Sequence, residues 1–195
     1  MALTLSKNQS ISLEKTAGPG LTKIALGLGW DPVKAGFLGK LMGKSDDIDL
    51  DASCILFDAN LNPVDLVWFK QLKSKDGSIR HSGDNRTGEG DGDDESIFVD
   101  LVALPASVTH LVFTVNSFTG ANFERIQNAY CRIVNSGKNE ELARFNLSEQ
   151  GAHTGVVMAS LTRSASGWDF KAIGQTTRGR TADDLVSLAA KAVRA

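Results

Sequence analysis

The most chemically distinctive part of the sequence is the acidic segment 84–95, Asp-Asn-Arg-Thr-Gly-Glu-Gly-Asp-Gly-Asp-Asp-Glu, with six carboxylates, one amide and three glycines. Carboxylates within ~4–6 Å of one another disfavour ionisation, so a folded chain either leaves such a segment in solvent or neutralises it with a cation. The glycines favour a cation, because they let carbonyls and side chains converge on one point. Since hard oxygen ligands in a flexible loop suit Ca²⁺, the sequence predicts a calcium-binding loop.

The predicted calcium loop matches neither the EF-hand loop nor the repeat-type calcium motif. Asp84 and Glu95 have the spacing of the first and last ligands of an EF-hand, but Glu89 occupies the position of the turn glycine. The flanking stretches 78–81 and 96–102 alternate like strands. A repeat-type calcium motif is excluded because its Gly-Glu-Gly-Asp-Gly pattern occurs once. We therefore expect a loop that joins two strands.

A second acidic group lies upstream, where Asp47, Asp49 and Asp51 alternate with apolar residues. In a strand these three side chains would share one face. Two interpretations stay open: a solvent-facing strand edge, or an Asp49 or Asp51 side chain that reaches the calcium end as a ligand or a loop anchor.

Composition and charge limit the classes of protein. The 195 residues suit one domain spanning 1–195, and the net charge is −2. Segment 84–95 contributes −5 (six acids less one arginine), the five aspartates between 46 and 58 contribute another −5, and the remainder is therefore +8. The cations form no run interleaved with aromatics, so nucleic acid is not expected as a partner. The N-terminus has no signal-peptide pattern and no stretch has the length of a membrane span, so we expect a cytoplasmic protein.

The two cysteines, Cys54 and Cys131, are too few for a disulfide framework or a zinc site. Both lie inside apolar runs, where a free cysteine behaves as a small buried hydrophobe.

Period-two alternation dominates the chain, with turn residues between the alternating stretches. This pattern predicts a mainly β protein, a two-sheet β-sandwich. The predicted strands cover residues 3–5, 11–13, 21–28, 47–57, 64–69, 78–81, 96–102, 109–115, 129–134, 141–145, 154–161 and 168–173.

Two stretches are predicted to be helical. Residues 121–127 suit a single turn or a short helix. A C-terminal helix over 181–193 begins at Thr181 as N-cap and carries acidic residues in its first turn and basic residues in its last. Its apolar stripe, expected to pack on the sandwich, consists of Leu185, Leu188, Ala189 and Ala192.

Six blocks of the sequence together resemble the TerD family of tellurite-resistance and stress-response proteins. They are Gly27-Leu-Gly-Trp-Asp31, Asp47-Ile-Asp-Leu-Asp-Ala-Ser53, segment 81–95, Val112-Phe-Thr-Val-Asn-Ser-Phe118, Asn128-Ala-Tyr-Cys-Arg132 and Glu141-Leu-Ala-Arg-Phe-Asn-Leu147. The resemblance runs from residue 3 to about residue 174. The Asp-Pro-Val-Lys that follows Trp30, together with Cys54 and Cys131, resembles the TerZ branch in particular.

The resemblance implies a β-sandwich that binds two calcium ions side by side at one end. Two such ions need about twelve to sixteen oxygen ligands, more than the side chains of one loop supply. Asp31 is a plausible second contributor because it follows a glycine turn at a strand end, and a simple turn cap is its alternative. The implied ligands are Asp31, Asp84, Asn85, Thr87, Gly88, Asp93, Asp94 and Glu95, with Asp49, Asp51, Gly90 and Asp91 as further candidates.

The predicted function is a non-enzymatic, calcium-binding interaction module of a tellurite-resistance or stress-response system, with other Ter-type or stress-response proteins as partners. The alternative is a calcium-switched binder of anionic lipid or a phospholigand, peripheral at the inner membrane face. The sequence has no P-loop, nucleophile elbow or His-Glu-x-x-His motif. Ser82 and His81 lie beside the acidic segment, but adjacent strand residues point to opposite faces, so a calcium-dependent enzyme is a minor alternative.

Overall fold

Two six-stranded β-sheets pack face to face in the computed structural model of the protein, which describes residues 2–32, 49–83, 92–147 and 151–194. The first sheet has the strand order β1-β10-β9-β3-β7-β6, and the second has the order β2-β12-β11-β8-β4-β5. Neighbouring strands are antiparallel except for β1 and β10. The strands are β1 Leu3–Leu5, β2 Ser10–Ser12, β3 Lys23–Pro32, β4 Asp51–Phe57, β5 Pro63–Val67, β6 Ile79–His81, β7 Glu95–Asp100, β8 His110–Asn116, β9 Ile126–Asn135, β10 Glu140–Asn146, β11 Gly155–Ser164 and β12 Gly167–Thr177.

The main core lies between the two sheets. Alternate residues of the central strands point inward, such as Leu26 and Leu28 of β3, which meet Leu56 of β4 and Phe113 of β8 in one buried cluster. This alternation is the period-two pattern of the sequence, and the predicted two-sheet β-sandwich is confirmed.

The C-terminal helix α2, Ala182–Arg194, covers the outer face of the second sheet. Its Ala189 and Ala192 are buried in a second apolar cluster with side chains from β4, β8, β11 and β12, among them Ile55 and Phe57. The predicted helix and its packing on the sandwich are thus confirmed. Because α2 covers this face, every residue of β4 is buried.

The start of α2 is fixed by an acidic side chain of its first turn. The Asp184 carboxylate accepts hydrogen bonds from the backbone N–H groups of Arg180 at 2.9 Å and Thr181 at 3.0 Å. These two bonds lower the pKa of Asp184. The N–H groups at the start of a helix otherwise have no intrahelical partner.

One local prediction needs correction. Residues 11–13 were expected to be strand, but the short helix α1, Leu13–Ala17, begins where β2 ends, and Leu13 is fully buried. Residues 121–127 were expected to form a single turn or a short helix, and they contain a 3₁₀ turn, Phe123–Arg125, after which β9 begins at once. Neither helix α1 nor helix α2 is long and apolar enough to cross a membrane, nor is any other helix in the described ranges.

Candidate functional site

The described residues on either side of segment 84–91 lie at one end of the sandwich, which we call the loop end. There β3 finishes at Pro32, β4 begins at Asp51, β6 finishes at His81 and β7 begins at Glu95. Of the predicted ligands, Asp84, Asn85, Thr87, Gly88, Gly90 and Asp91 lie outside the described residues, as does Asp47 of the upstream row. The described part of the loop end consists of the strand ends that flank these residues.

Glu95 is buried and connects the two sheets at the loop end. Its Oε2 accepts a hydrogen bond from the backbone N–H of Ala52, in the opposite sheet, at 2.7 Å. The same oxygen lies 3.3 Å from Nε2 of His81, and both side chains are completely shielded from solvent. Glu95, predicted as a calcium ligand, thus has a structural contact inside the protein.

His81 completes this contact through both ring nitrogens. Nδ1 accepts a hydrogen bond from the backbone N–H of Gly83 at 3.0 Å. In the neutral ring Nε2 then carries the proton and faces both the Ala52 carbonyl, at 3.1 Å, and Glu95. The neighbouring Ser82 Oγ accepts from the backbone N–H of Ser96 at 2.9 Å. Both side chains of the His81–Ser82 pair are therefore held by the backbone around them.

Asp94 is half-buried at the end of β3. Its Oδ2 accepts a hydrogen bond from the backbone N–H of Trp30 at 2.8 Å, and its own N–H donates to the Leu28 carbonyl at 2.8 Å. Burial, followed by the negative charges of Asp31, Asp93 and Glu95, raises the pKa of Asp94, and the Trp30 hydrogen bond opposes this shift. The end of β3 therefore places Asp94 in a negative field that a cation would relieve.

Asp31, in β3, is one of the negative charges near Asp94. The register of β3 against β9 shifts between Gly29 and Asp31, and a shift of this kind re-aims the following side chains. Asp31 is exposed, and its Oδ2 accepts a hydrogen bond from Nδ2 of Asn128 at 2.7 Å. The described hydrogen bond of Asp31 and that of Asp94 each come from a neutral amide donor.

Asp93 is held by a cation of the protein itself. Arg132 of β9 donates from Nε to Oδ1 at 2.7 Å and from Nη2 to Oδ2 at 3.1 Å, a bidentate pair. The Tyr130 hydroxyl lies 2.8 Å from the Gly92 carbonyl and 3.1 Å from Asp93 Oδ1. Gly27 makes room for this carboxylate, because a Cβ built at Gly27 would overlap it.

The sequence did not reveal this pairing with Arg132. Partners this distant in the chain cannot be found from spacing. The available signal was Gly27 and Gly29 inside a strand, since a glycine there often marks a close approach of another chain segment. The Asp93–Arg132 pair belongs to a larger network of charged side chains, in which Arg132 Nη1 donates to Glu141 at 3.1 Å and Arg144 also donates to Glu141.

The upstream aspartates differ in burial. Asp51 has 3% of its surface exposed and lies on the same face of β4 as Ile55 and Phe57, the face that α2 covers. The interpretation of the row as a solvent-facing strand edge is therefore wrong for Asp51. Asp49, just before β4, is half-buried.

No three His, Cys, Asp or Glu side chains within the described ranges are grouped so that they could hold a metal ion by themselves. The two cysteines are buried as predicted, and this burial raises the pKa of both thiols, that of Cys131 to about 12. A thiol with so high a pKa is mostly protonated at neutral pH and is a poor nucleophile.

Known proteins share both the fold and the sequence. A crystal structure of a homologue of the telluride resistance protein TerD, from Streptomyces coelicolor A3(2), superimposes with a TM-score of 0.68 at 24% identity, covering 86% of this chain and 96% of that one. At this identity the superposition shows the fold alone, a TerD-type sandwich.

The chain belongs to the TerD family, since the model of the TerD domain matches residues 1–191. It is 53% identical to the tellurium resistance protein TerZ of Serratia marcescens over 95% of both chains. It is 40% identical to the stress response protein SCP2 of Bacillus subtilis (strain 168), over 96% of this chain and 98% of that one. The resemblance to the TerD family and to its TerZ branch is confirmed, and the family is one of tellurium-resistance and stress-response proteins.

The contacts of Asp93 predict an unusual tyrosine titration. Burial, followed by the charge and hydrogen bond of Asp93, raises the pKa of Tyr130 to about 12, against an ordinary value of about 10. Since Tyr130 is the only tyrosine in the chain, tyrosinate absorbance reports it alone. We expect a midpoint near 12, and Asp93→Asn should lower that midpoint because it removes the negative charge.

Because the folded-state pKa is raised, the stabilisation from protonated Tyr130 is complete below about pH 10 and is lost as pH rises through about 12. Far-UV circular dichroism recorded alongside shows whether the fold persists over that range. The exposed Asp183→Asn in α2 serves as a control that should leave the midpoint unchanged. A midpoint near 10 in the folded wild type would contradict the described environment.

Proposed function

We propose that this protein is a calcium-binding, non-catalytic interaction module of a tellurium-resistance or stress-response system. The observation that carries the proposal is the approach of Asp31, Asp93 and Glu95 to the half-buried Asp94 at the strand ends that flank the acidic segment, where burial and these neighbouring charges raise the pKa of Asp94. An ion that takes six to eight oxygen ligands suits a site where several carboxylates approach one another.

The described contacts divide the acidic residues by role. Arg132 already neutralises Asp93, and Ala52 and His81 engage Glu95. In the proposed site Asp93 and Glu95 hold the backbone on either side of Asp94 in place. Asp31 and Asp94 then offer carboxylate oxygens to the ion. The remaining ligands would come from segment 84–91, through Asp84, Asn85, Thr87, Asp91 and the carbonyls of Gly88 and Gly90, with Asp49 and Asp51 as further contributors.

Two calcium ions are proposed because the resemblance to the TerD family implies two. Such a pair needs about twelve to sixteen oxygen ligands, which the acidic residues named above can supply together. Calcium bound there would neutralise the negative end and hold the loops in one arrangement. The sandwich would then offer a fixed surface to other Ter-type or stress-response proteins in the cytoplasm. No catalytic step is part of the proposal, and neither is nucleic acid.

The test compares wild type with Asp94→Asn, in which the amide oxygen can still accept the Trp30 hydrogen bond. Because the folded-state pKa of Asp94 is raised, the stability linked to its protonated form is lost as pH rises through that pKa. In EDTA at neutral pH, Asp94→Asn should therefore be at least as stable as wild type. In millimolar calcium the order should reverse, since wild type gains about 2.7 kcal/mol per site at a free concentration of one hundred Kd.

The measurement is the thermal or urea midpoint of both proteins, each in EDTA, calcium and magnesium. Magnesium should stabilise wild type less, because it demands a tight octahedral shell. Asp58→Asn is the matched control: Asp58 is a partly exposed turn residue between β4 and β5 that accepts hydrogen bonds from the backbone N–H groups of Asn60 and Asn62. This substitution should not change the calcium effect. Equal midpoints for wild type in EDTA and calcium would sink the proposal.

One observation favours the alternative of calcium-switched binding to anionic lipid. Three aromatic side chains lie together where β5 and β8 approach the loop end: the Phe69 ring meets Trp68 at 5.0 Å and Phe118 at 5.7 Å. The Lys70 ammonium lies 5.0 to 5.6 Å from all three ring centroids, and Phe118 is 42% exposed. Half-exposed aromatics beside a cation are common at membrane interfaces.

Co-sedimentation with phosphatidylglycerol vesicles separates the two functions. The lipid-binding alternative predicts pelleting in calcium, none in EDTA, and loss of pelleting in both Asp94→Asn and Phe118→Ser. The interaction module predicts no calcium-dependent pelleting. Leu3→Ser, a change of another exposed apolar side chain (43% exposed) on the edge strand β1, controls for general loss of apolar surface.

A further inference from the structure

An open cavity of about 350 Å³ lies on the outer face of the first sheet, toward the end opposite the loop end. Its wall is formed by the first residues of β3, by the hairpin that leads into β6, and by the last residues of β7. A volume in this range is that of a small-molecule site. The side chains that carry the argument are Lys23, Lys73, Ser78, Arg80, Phe98 and Asp100.

The charge of this cavity is positive. Three cations line it against the single carboxylate of Asp100, a net +2. Lys23 Nζ lies 3.5 Å from Asp100 Oδ2, and Asp100 Oδ1 also accepts from the N–H groups of Val102 and Ala103. No carboxylate of the described chain lies within ion-pair distance of Lys73 or Arg80. The cavity therefore holds more positive charge than the described residues neutralise there.

The two remaining cations are placed opposite each other. Lys73 and Arg80 form an isolated antiparallel bridge, so their side chains are direct cross-strand neighbours. Like charges in that position destabilise a strand pair. The Arg80 guanidinium also lies 4.7 Å from the centroid of the Phe98 ring, which holds its plane against the ring face. An anion between the two cations would remove the repulsion and use the forked donors of Arg80.

Ser78 adds an independent observation. The residue is 4% exposed, and its buried Oγ has no hydrogen-bond partner within the described chain. A buried hydroxyl without a partner is costly. Ser78 lines the cavity, and a change of its χ1 rotamer would turn the hydroxyl, which is closed off from solvent in the described conformation, toward an acceptor oxygen on a bound ligand.

We propose that this cavity binds a phosphate-bearing anion, with the phosphate between Lys73 and Arg80, an oxygen accepting from Ser78, and an organic part against Phe98. The cavity exceeds the size of inorganic phosphate alone. This site lies at the end of the sheet opposite the acidic residues, so its binding is independent of calcium and of the function proposed above.

The test is a titration of the full chain in EDTA with inorganic phosphate, pyrophosphate and phenyl phosphate, followed by amide chemical shifts and calorimetry. We expect saturable binding with the largest shifts at Gly77, Ser78 and Arg80. Phenyl phosphate should bind more tightly than inorganic phosphate. Arg80→Gln should weaken binding by roughly tenfold, a loss of one charge-assisted contact.

Ser78→Ala separates a ligand contact from a structural role. It should weaken phenyl phosphate by roughly threefold or more while leaving the denaturation midpoint unchanged or higher, because an unpaired buried hydroxyl is removed. Lys75→Gln is the matched control, since Lys75 belongs to the same hairpin, is 78% exposed at its side chain and pairs with Asp65. Lys75→Gln should bind like wild type.

Phosphatidylglycerol vesicles in EDTA distinguish the source of the phosphate. Pelleting that Arg80→Gln abolishes would identify a lipid headgroup, whereas soluble binding without pelleting would identify a free phosphate ester. The absence of saturable shifts with every probe would overturn the proposal. It would also be overturned if Lys75→Gln weakened binding as much as Arg80→Gln, since that result indicates general charge attraction only.

Discussion

The hydrogen bond from the Ala52 backbone N–H to the buried Glu95 carboxylate is the contact on which the loop end depends. It joins the first sheet to the second, and His81 closes it from the neighbouring strand. Removing one partner of a buried charge is far more costly than breaking an exposed pair, so this contact fixes where β7 begins. The last residues of the acidic segment are thereby held at a defined place against the strand ends.

The three consecutive acidic residues Asp93, Asp94 and Glu95 make contacts with three different parts of the protein. Glu95 meets the second sheet, Asp94 meets the Trp30 backbone at the end of β3, and Asp93 crosses Gly27 to the guanidinium of Arg132. Of these three, Asp93 pairs with a cation, Arg132, and Glu95 is buried against the Ala52 N–H and His81. The carboxylates of Asp94 and Asp31 therefore add negative charge to this end of the sandwich. A bound metal ion is the simplest means of neutralising it.

Much of this architecture was predictable because the chain alternates with period two between clear turn signals. Every predicted strand has a counterpart, and the helix α2 was evident from its apolar stripe and first-turn acids. The period-two pattern wrongly placed Leu13 in a strand, whereas this residue is buried in a helix. It also left open a solvent-facing position for Asp51, which lies on the face of β4 that α2 covers. Local pattern cannot show which face a distant helix covers. The acidic residues were also predictable as a group, but the partners Arg132 and His81 depend on tertiary contacts.

Calorimetric titration of the full chain with calcium tests the central claim most directly. The account predicts saturable heat with a stoichiometry of about two ions per chain, because the acidic groups offer enough oxygens for two shells. Asp94→Asn should lose binding at one site or both, while Asp58→Asn, in the turn between β4 and β5, should retain it. The absence of binding heat in wild type up to millimolar calcium, in protein shown to be folded, would contradict the account.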